Sequence, residues 1–281
     1  MQMICAWTEL LRVLPEWMRT DVDRLGRDGL QELRLRLGKP PVMIDAGMRN
    51  LPGRTVSADD LNYCVNTASR YSPWASETLV QGYITAPGGH RIGICGQAAM
   101  HSGQIQTIRS VTSLCIRVAR DLPGISRDLT ERKGSILIIG SPGSGKTTLL
   151  RDLIRQYSNR GRGSISVVDE RGELFPKAAA FDCGEHTDVM TGCGKAEGID
   201  MVLRCMGPGI IAVDEITAET DAEALLRASR CGVDLLATAH ASDIPDLRCR
   251  PIYRKLLDFG LFQWVVILQR DKSWSVERMV K

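Results

Sequence analysis

Short apolar runs separated by glycine-rich or polar turns organise the second half of the chain. Buried-type strands are indicated at 136–139, 164–168, 210–213 and 233–237, and the turn at 140–145 opens a helix with an apolar face. Runs of this length between turn signals are typical of strands that are buried on both faces. Strands that alternate with amphipathic helices predict an α/β domain with a parallel sheet. A hairpin of two strands is expected to close the chain after Trp264.

The first 125 residues have a different, mixed pattern. A helix runs into an alternating strand that ends at Leu37, and helices are expected from Ser57 and from Ser72 through Leu79. Further extended segments are indicated at 42–46, 82–86, 91–95 and 113–118, with hairpin turns through Pro40 and through Pro87 to His90. We therefore expect a smaller α+β domain over 1–125, a turn-rich boundary at 121–124, and the α/β domain over 126–281.

Composition narrows the class of protein. The 281 residues are 43% apolar, which is enough for a sizeable core, and no apolar run approaches the roughly 20 residues of a membrane span. Nine cysteines without a C-x-x-C pair favour reduced thiols and a cytoplasmic location. The net charge of +3 is too small to indicate a nucleic-acid partner.

A complete phosphate-binding loop follows the strand at 136–139. Glycines allow the loop to turn with positive φ and let backbone N–H groups face a triphosphate, and the following helix adds its N-terminal dipole. We expect Lys146 to reach the β- and γ-phosphates of ATP, and the Thr147 hydroxyl to bind Mg²⁺. The predicted nucleotide-binding residues are Gly140, Ser141, Pro142, Gly143, Ser144, Gly145, Lys146, Thr147 and Thr148.

Acidic pairs follow two of the predicted strands. Asp214 and Glu215 form a Walker B pattern, in which Asp214 would hold Mg²⁺ and Glu215 would polarise water or support the metal shell. Either Asp169 or Glu170 could orient the water that attacks the γ-phosphate. Thr238 and His240 form a polar pair at the end of another strand that resembles a γ-phosphate sensor, and His240 is expected to take the sensing role.

The predicted first domain supplies candidate arginines. Arg91 and Arg117 are either solvated side chains or cations that stabilise charge on the γ-phosphate, because an ATPase whose loop lacks an arginine commonly receives one from an adjoining domain or subunit.

Four segments in this order carry a family resemblance: GSPGSGKTTLLRD, VVDERGEL, IIAVDEI and LLATAHA. They resemble the Walker A, acidic, Walker B and histidine boxes of the type II and type IV secretion-ATPase superfamily. GYITAPGGHRIGICG and SLCIRVARD extend the likeness to the stage III sporulation AA proteins from about Leu30 onward. The resemblance implies a RecA-like ATPase domain after a smaller N-terminal domain, assembled as a homo-oligomeric ring, expected to be a hexamer, with nucleotide between the domains. It further implies a peripheral partner of membrane-embedded channel proteins on the mother-cell side of the engulfing membrane.

Two other functions stay open. A similar ATPase domain occurs in plastid and bacterial proteins that bind single-stranded nucleic acid through an appended domain, and no such domain is expected here. A nucleotide-binding scaffold with little hydrolysis would carry the same loop. The leading hypothesis is an ATPase that hydrolyses Mg²⁺-bound ATP with Lys146, Glu215 and either Glu170 or Asp169.

Overall fold

Contacts in a computed structural model divide the chain into two compact units. The residues described are 3–45, 47–70, 82–101, 103–179 and 181–279. The N-terminal unit comprises Cys5–Arg120 and Pro176–Ala180, and the C-terminal unit comprises Met1–Ile4, Asp121–Phe175 and Phe181–Lys281. The division into domains at residue 125 stays a prediction. Within the described ranges no helix combines the length and the apolar character that crossing a bilayer requires.

The N-terminal unit is built on a six-stranded antiparallel sheet. Its strands are β1 (Glu32–Arg36), β2 (Val42–Ile44), β3 (Met48–Asn50), β4 (Tyr83–Thr85), β5 (Arg91–His101) and β6 (Gln104–Arg117). They lie in the order β3-β2-β1-β6-β5-β4. Leu33 and Leu35 are buried while Arg36 is exposed, so the sequence alternation sets the two faces. The hairpins predicted around Pro40 and Pro87 are confirmed as β1–β2 and β4–β5.

Among the described residues of this unit, three helices pack on the sheet through apolar faces. They are α1 (Trp7–Val13), α2 (Glu16–Gly26) and α3 (Ala58–Ala68). The start of α3 is a capping box, in which the Asp60 N–H donates to Ser57 Oγ and the Ser57 N–H donates to the Asp60 carboxylate. The predicted helix at Ser57 is therefore confirmed. The one predicted from Ser72 to Leu79 lies outside the described residues.

The turn between β4 and β5 is closed by a buried histidine. His90 Nδ1 accepts a hydrogen bond from the Ala119 N–H at 3.1 Å, and its Nε2 lies 3.0 Å from the Ala6 carbonyl oxygen. Because Nδ1 accepts, Nε2 carries the proton and donates. Burial lowers the pKa of His90, since the charged imidazolium would lose its hydration. His90 therefore fastens the turn in its neutral form.

The same turn receives the separate segment 176–180. The Gly88 N–H of the turn donates to the Ala178 carbonyl oxygen of the segment at 3.0 Å. A Cβ atom on Gly89 would lie only 2.9 Å from atoms of Pro176 and Ala179, and Gly89 also has a φ of +80°. Glycine is required here because both the close approach and the backbone conformation exclude a side chain.

The C-terminal unit is a seven-stranded sheet covered on both faces by apolar clusters. Its strands are β7 (Ile136–Gly140), β8 (Ile165–Asp169), β9 (Thr187–Thr191), β10 (Ile210–Val213), β11 (Asp234–Ala239), β12 (Trp264–Leu268) and β13 (Trp274–Arg278). The order is β13-β12-β7-β11-β10-β8-β9, and neighbours are parallel except that β13 runs antiparallel to β12. Every residue of β7, β8 and β10 is buried, as a parallel sheet demands. The predicted α/β domain and closing hairpin are confirmed.

Helices connect most of the parallel strands. They are α4 (Lys146–Asn159), α5 (Lys195–Cys205), α6 (Glu219–Arg230), α7 (Ile244–Cys249) and α8 (Pro251–Asp258). The helix α4 follows β7 directly through the glycine-rich loop. Since β7, β8, β10 and β11 are parallel, their carboxyl ends lie at one edge of the sheet, where ligands of such folds bind.

A buried ion cluster joins α4 to the start of the C-terminal unit. The Arg155 guanidinium donates to both oxygens of Asp121, at 2.6 and 2.8 Å. Arg155, Asp121 and Asp152 are all buried. Asp152 accepts hydrogen bonds from the Gly124 N–H and from the N–H and hydroxyl of Ser126. The cluster thus fixes residues 121–126 against the helix of the phosphate-binding loop.

Candidate active site

The loop between β7 and α4 has the backbone that the glycine pattern predicts. Gly143 and Gly145 have φ values of +74° and +105°, which residues with a side chain rarely adopt. Gly140 is needed for a different reason: a Cβ there would lie 2.6 Å from the carbonyl oxygen of Leu268 on β12. The loop therefore lies directly against the neighbouring strand.

Lys146 is buried within this loop. Its Nζ donates to the carbonyl oxygens of Gly140 at 2.9 Å and Ser141 at 3.1 Å, and lies 2.9 Å from His240 Nδ1. Burial lowers the pKa of Lys146, and the nearby carboxylates of Asp214 and Glu215 oppose that shift. Phosphate oxygens are strong acceptors for such an ammonium, so an incoming triphosphate can replace the two carbonyl oxygens.

Ser144 gives the loop a second polar group suited to an anion. Among the described residues its buried hydroxyl has no hydrogen-bond partner, while its backbone N–H donates to the Ser141 carbonyl oxygen at 3.2 Å. Pro142 lies in the loop between these residues, and Thr148 lies in the first turn of α4. A buried hydroxyl costs free energy unless it is bonded, and a phosphate oxygen would satisfy it. The residues of the loop therefore fit a nucleotide phosphate.

The start of α4 and the acidic pair after β10 meet at a hydrogen-bonded triad. Thr147 Oγ1 donates to Asp214 Oδ2 at 2.7 Å, and Thr238 Oγ1 donates to Asp214 Oδ1 at 2.6 Å. Thr147 is the second residue of α4, Asp214 follows β10, and Thr238 lies on β11 between β7 and β10. The Thr147 hydroxyl and the Asp214 carboxylate are the hard oxygen ligands that Mg²⁺ prefers. The donor set thus fits a magnesium ion carried by a triphosphate.

Glu215 and His240 form a second pair at the same edge. Glu215 has a φ of +50°, and its N–H donates to Thr238 Oγ1 at 2.8 Å, which holds this unfavourable backbone conformation. His240 Nε2 lies 3.2 Å from Glu215 Oε1. Because the Lys146 ammonium can only donate to Nδ1, the proton of a neutral His240 lies on Nε2 and points to Glu215. A continuous chain of polar contacts therefore links Lys146, His240 and Glu215.

Asp169 organises the backbone of its own loop. Its carboxylate, which is 2% exposed, accepts hydrogen bonds from the N–H groups of Glu173, Leu174 and Phe175 at 2.8–3.0 Å. Burial raises the pKa of Asp169, and the backbone donors counter that effect. Arg151 donates to the carbonyl oxygens of residues 173 and 174, so the loop is fixed from both sides. These bonds occupy both oxygens of Asp169, and the geometry favours Glu170 as the carboxylate available to water.

Glu170 lines an open cavity beside the triad. Its Oε2 lies 2.5 Å from Nζ of Lys195, the first residue of α5. Asp214 and Glu215 line the same cavity, together with Arg171. The carboxylates that follow β8 and β10 therefore share one space.

Arg91 and Arg117 both belong to the N-terminal unit. The Arg91 guanidinium lies 4.1 Å from the centre of the Tyr83 ring, and Arg117 Nε lies 3.7 Å from Glu32 Oε2. Residues 91 and 117 are paired on adjacent strands β5 and β6, so the two backbones lie side by side. Their action on a nucleotide stays a prediction.

Lys195 is not among the predicted site residues, and Thr238 is predicted only as one half of a polar pair with His240. Thr238 lies on β11 and His240 directly follows that strand, two positions later, so period-two alternation puts both on one side, but the bonds of Thr238 to Asp214 and Glu215 depend on strand order. Lys195 lies 25 residues from Glu170 in sequence. A lysine in a glycine-rich segment gave no signal for that pairing.

The fold is that of a P-loop ATPase of the secretion type. The ATPase DotB of Legionella pneumophila superposes with a TM-score of 0.62 at 16% identity, over 94% of this chain and 80% of DotB. The pilus retraction motor PilT, whose structure contains bound ADP, gives a TM-score of 0.60 at 18% identity, over 95% of this chain and 83% of PilT. At these identities the similarity establishes the fold alone.

The family is established by sequence. The family model described as "Sporulation stage III, protein AA" matches residues 8–278, and the chain belongs to this family. Stage III sporulation protein AA of Bacillus subtilis (strain 168) is 34% identical, over 94% of this chain and 92% of that protein. The uncharacterized protein ycf45 of Porphyra purpurea is 29% identical over 92% of this chain, which spans 44% of that protein. The predicted resemblance is thereby confirmed.

Proposed function

We propose that this chain hydrolyses Mg²⁺-bound ATP as a ring of six identical subunits. The observation that carries the proposal is the 2.7 Å hydrogen bond from Thr147 Oγ1 to Asp214 Oδ2. It brings the phosphate-binding loop and the Walker B strand close enough to share one metal ion, which is the arrangement that phosphoryl transfer by P-loop ATPases uses. The fold of the secretion and pilus ATPases supports this assignment.

The side chains divide the work by their positions. Lys146, Ser144 and the loop N–H groups bind the phosphates, while Thr147 and Asp214 hold Mg²⁺, which neutralises phosphate charge. Glu215 and Glu170 place a water whose oxygen bonds to the γ-phosphorus. The bond from that phosphorus to the bridging oxygen breaks, its electron pair stays on ADP, and the water proton passes to a carboxylate. His240 reports the γ-phosphate through its contacts with Lys146 and Glu215.

Arg91 and Arg117 would add positive charge to the γ-phosphate, from the same or a neighbouring subunit. Replacing either with alanine should reduce turnover without unfolding the protein, because each packs at the surface of its sheet. Unaltered phosphate release in both variants would remove them from the site.

Family membership supports a proposal for the cellular role. The name of the Bacillus subtilis relative places that protein in stage III of sporulation. We propose that the ATPase ring docks from the mother-cell cytoplasm onto membrane-embedded channel proteins, and powers a trans-envelope channel or secretion apparatus directed to the forespore.

Phosphate release in the presence of Mg²⁺ and ATP tests the activity. Lys146→Ala should lower turnover about 100-fold or more, because it removes a preorganised cation from the developing phosphate charge. Lys255→Ala is the matched control, since Lys255 lies in an exposed ion pair with Glu223 on the same unit. Full activity of the Lys146 variant would refute the assignment.

Mass measurement in solution, with and without a non-hydrolysable ATP analogue, tests assembly. A nucleotide-dependent shift from monomer to hexamer is expected, and a monomer under both conditions would refute the ring. The nucleotide-binding scaffold predicts a different result. With the membrane partner proteins present, the chain would bind ATP tightly but would show no phosphate release that depends on Lys146.

A further inference from the structure

The cavity beside the magnesium ligands contains a buried cation that the proposed reaction has not used. Lys195 is 8% exposed, lines this cavity, and forms an ion pair with Glu170 at 2.5 Å. Glu170 is more exposed, at 37% of its side chain. A buried ammonium is costly unless it is paired, so Lys195 depends on this carboxylate.

The position of Lys195 in its helix is electrostatically unfavourable. It is the first residue of α5, where the helix dipole is positive and acidic residues are favoured. The N-cap residue Gly194 makes no side-chain capping bond. Helix stability therefore does not account for a lysine here, and the ion pair across the cavity does.

Close packing of α5 on β8 brings the two charged groups together. A Cβ on Gly198 would lie 2.5 Å from Val168 Cγ1 and 2.9 Å from Cys193 Sγ, so only glycine permits this approach. Val168 is two residues before Glu170 on the chain. The first turn of α5 is thus held at a fixed distance from the end of β8.

Negative charge dominates the remaining lining of the cavity. Glu170, Asp214 and Glu215 converge on it, Asp169 at the end of β8 and Glu173 beyond it add two more carboxylates, and Arg171 is a second cation in the lining. Like charges in a shared space repel one another, and an exposed glutamate would turn away to solvent without a fixed cation. The Lys195 ammonium offsets that repulsion at Glu170.

We propose that Lys195 is a positioning residue that holds the Glu170 carboxylate in the cavity, where it receives the proton of the attacking water. The inference rests on the proposed ATPase function. In this inference Glu170 is the proton acceptor. Lys195 affects the reaction through Glu170 and not through contact with the nucleotide. The bond that forms between water and the γ-phosphorus and the bond that breaks toward ADP are unchanged.

Steady-state kinetics and nucleotide binding together test this role. Lys195→Gln should lower kcat about 10-fold to 100-fold, as expected when a proton acceptor is misplaced, and should change the Kd for Mg²⁺-ATP less than threefold. Lys195→Arg keeps the cation and should recover most of kcat. Glu170→Gln should lower kcat at least as much, and the double variant should be no slower than Glu170→Gln alone.

Each control separates one explanation. Lys255→Gln removes the lysine of an exposed Lys–Glu pair in the same unit and should leave kcat unchanged. Retained Mg²⁺-ATP binding would show that the Lys195 variants fold. If they do not fold, Glu170→Gln tests the same ion pair by changing its more exposed partner.

Three results would overturn the inference. Loss of Mg²⁺-ATP binding in Lys195→Gln, as in Lys146→Ala, would make Lys195 a phosphate ligand. Additive losses in the double variant would mean that the two residues act separately, and unchanged kcat in Lys195→Gln would remove it from the reaction. If the wild-type protein shows no turnover that depends on Lys146, the proposed function itself fails, and the inference with it.

Discussion

Replacing Arg155 with methionine should destabilise the C-terminal unit strongly. Arg155 bonds both oxygens of Asp121 at 2.6 and 2.8 Å, and its Nε lies 3.5 Å from Asp152 Oδ1. Both carboxylates are fully buried. Burial raises the pKa of Asp121, and the guanidinium groups of Arg155 and Arg151 counter that shift. Methionine fills a similar volume but leaves the Asp121 carboxylate without its bidentate partner.

The size of the effect follows from this geometry. Breaking a buried ion pair by removing one partner costs about 3–5 kcal/mol, because the other charge stays in a medium of low dielectric constant. For a unit of this size each kcal/mol corresponds to roughly 2–4 °C, so Tm should fall by roughly 6–20 °C. Residues 121–126 should loosen from α4 in the same variant.

Urea unfolding followed by circular dichroism gives the change in unfolding free energy. Arg160→Met is the matched control: Arg160 forms an exposed pair with Glu131 and should cost less than about 1 kcal/mol. The double variant Asp121→Asn, Arg155→Met removes both charges and should recover much of the loss. A loss below 1 kcal/mol for Arg155→Met, or a double variant no more stable than the single one, would refute the reasoning.

Three further predictions concern the site and its supports. Thr238→Val removes the hydroxyl that bonds Asp214 and Glu215, so Mg²⁺-dependent phosphate release should fall about 10-fold to 100-fold, while Thr238→Ser should stay near wild type; full activity of the valine variant would contradict the role of Thr238. Asp169→Ala leaves three backbone N–H groups without their acceptor, so the free energy of unfolding should fall by about 1–3 kcal/mol or more and Tm should fall with it. Glu170→Gln should instead lower turnover at nearly constant Tm. The reverse pattern would exchange the roles of the two residues. Burial lowers the pKa of His90, so below about pH 6.5 the unfolded chain binds more protons than the folded one, and stability should fall as pH drops from 7 to 5. His90→Gln should show a shallower fall in Tm across that range, and parallel curves would exclude His90 as the cause.

The hydrophobic periodicity and the turn residues predicted much of the fold because each of these signals is local. Apolar runs that end in acidic or glycine-rich turns identify parallel strands, and Ser57 with Asp60 identifies a helix start. The meeting of Thr147 and Asp214 could be expected because the carboxyl ends of parallel strands share one edge.

The division of labour in the acidic box could not be read in the same way. Asp169 and Glu170 are adjacent and chemically alike in sequence, yet one is buried on three N–H groups and the other lines a cavity. Which of them meets the backbone depends on the path of residues 173–175, and that path is fixed by Arg151 on another element. Lys195 meets Glu170 only because Gly198 lets α5 lie against β8.

The excursion of the chain after Phe175 has a consequence for anyone who wishes to separate the two units. Residues 176–180 belong to the N-terminal unit, where Pro176, Ala178 and Ala179 contact Gly88 and Gly89, and the chain rejoins the C-terminal unit at Phe181. One cut between residues 120 and 121 therefore yields no pair of self-sufficient fragments, since a strip belonging to the first stays attached to the second. Chimeras that exchange the N-terminal unit between relatives must therefore transplant residues 5–120 and 176–180 together. Sequence changes in these two stretches are expected to be correlated among relatives.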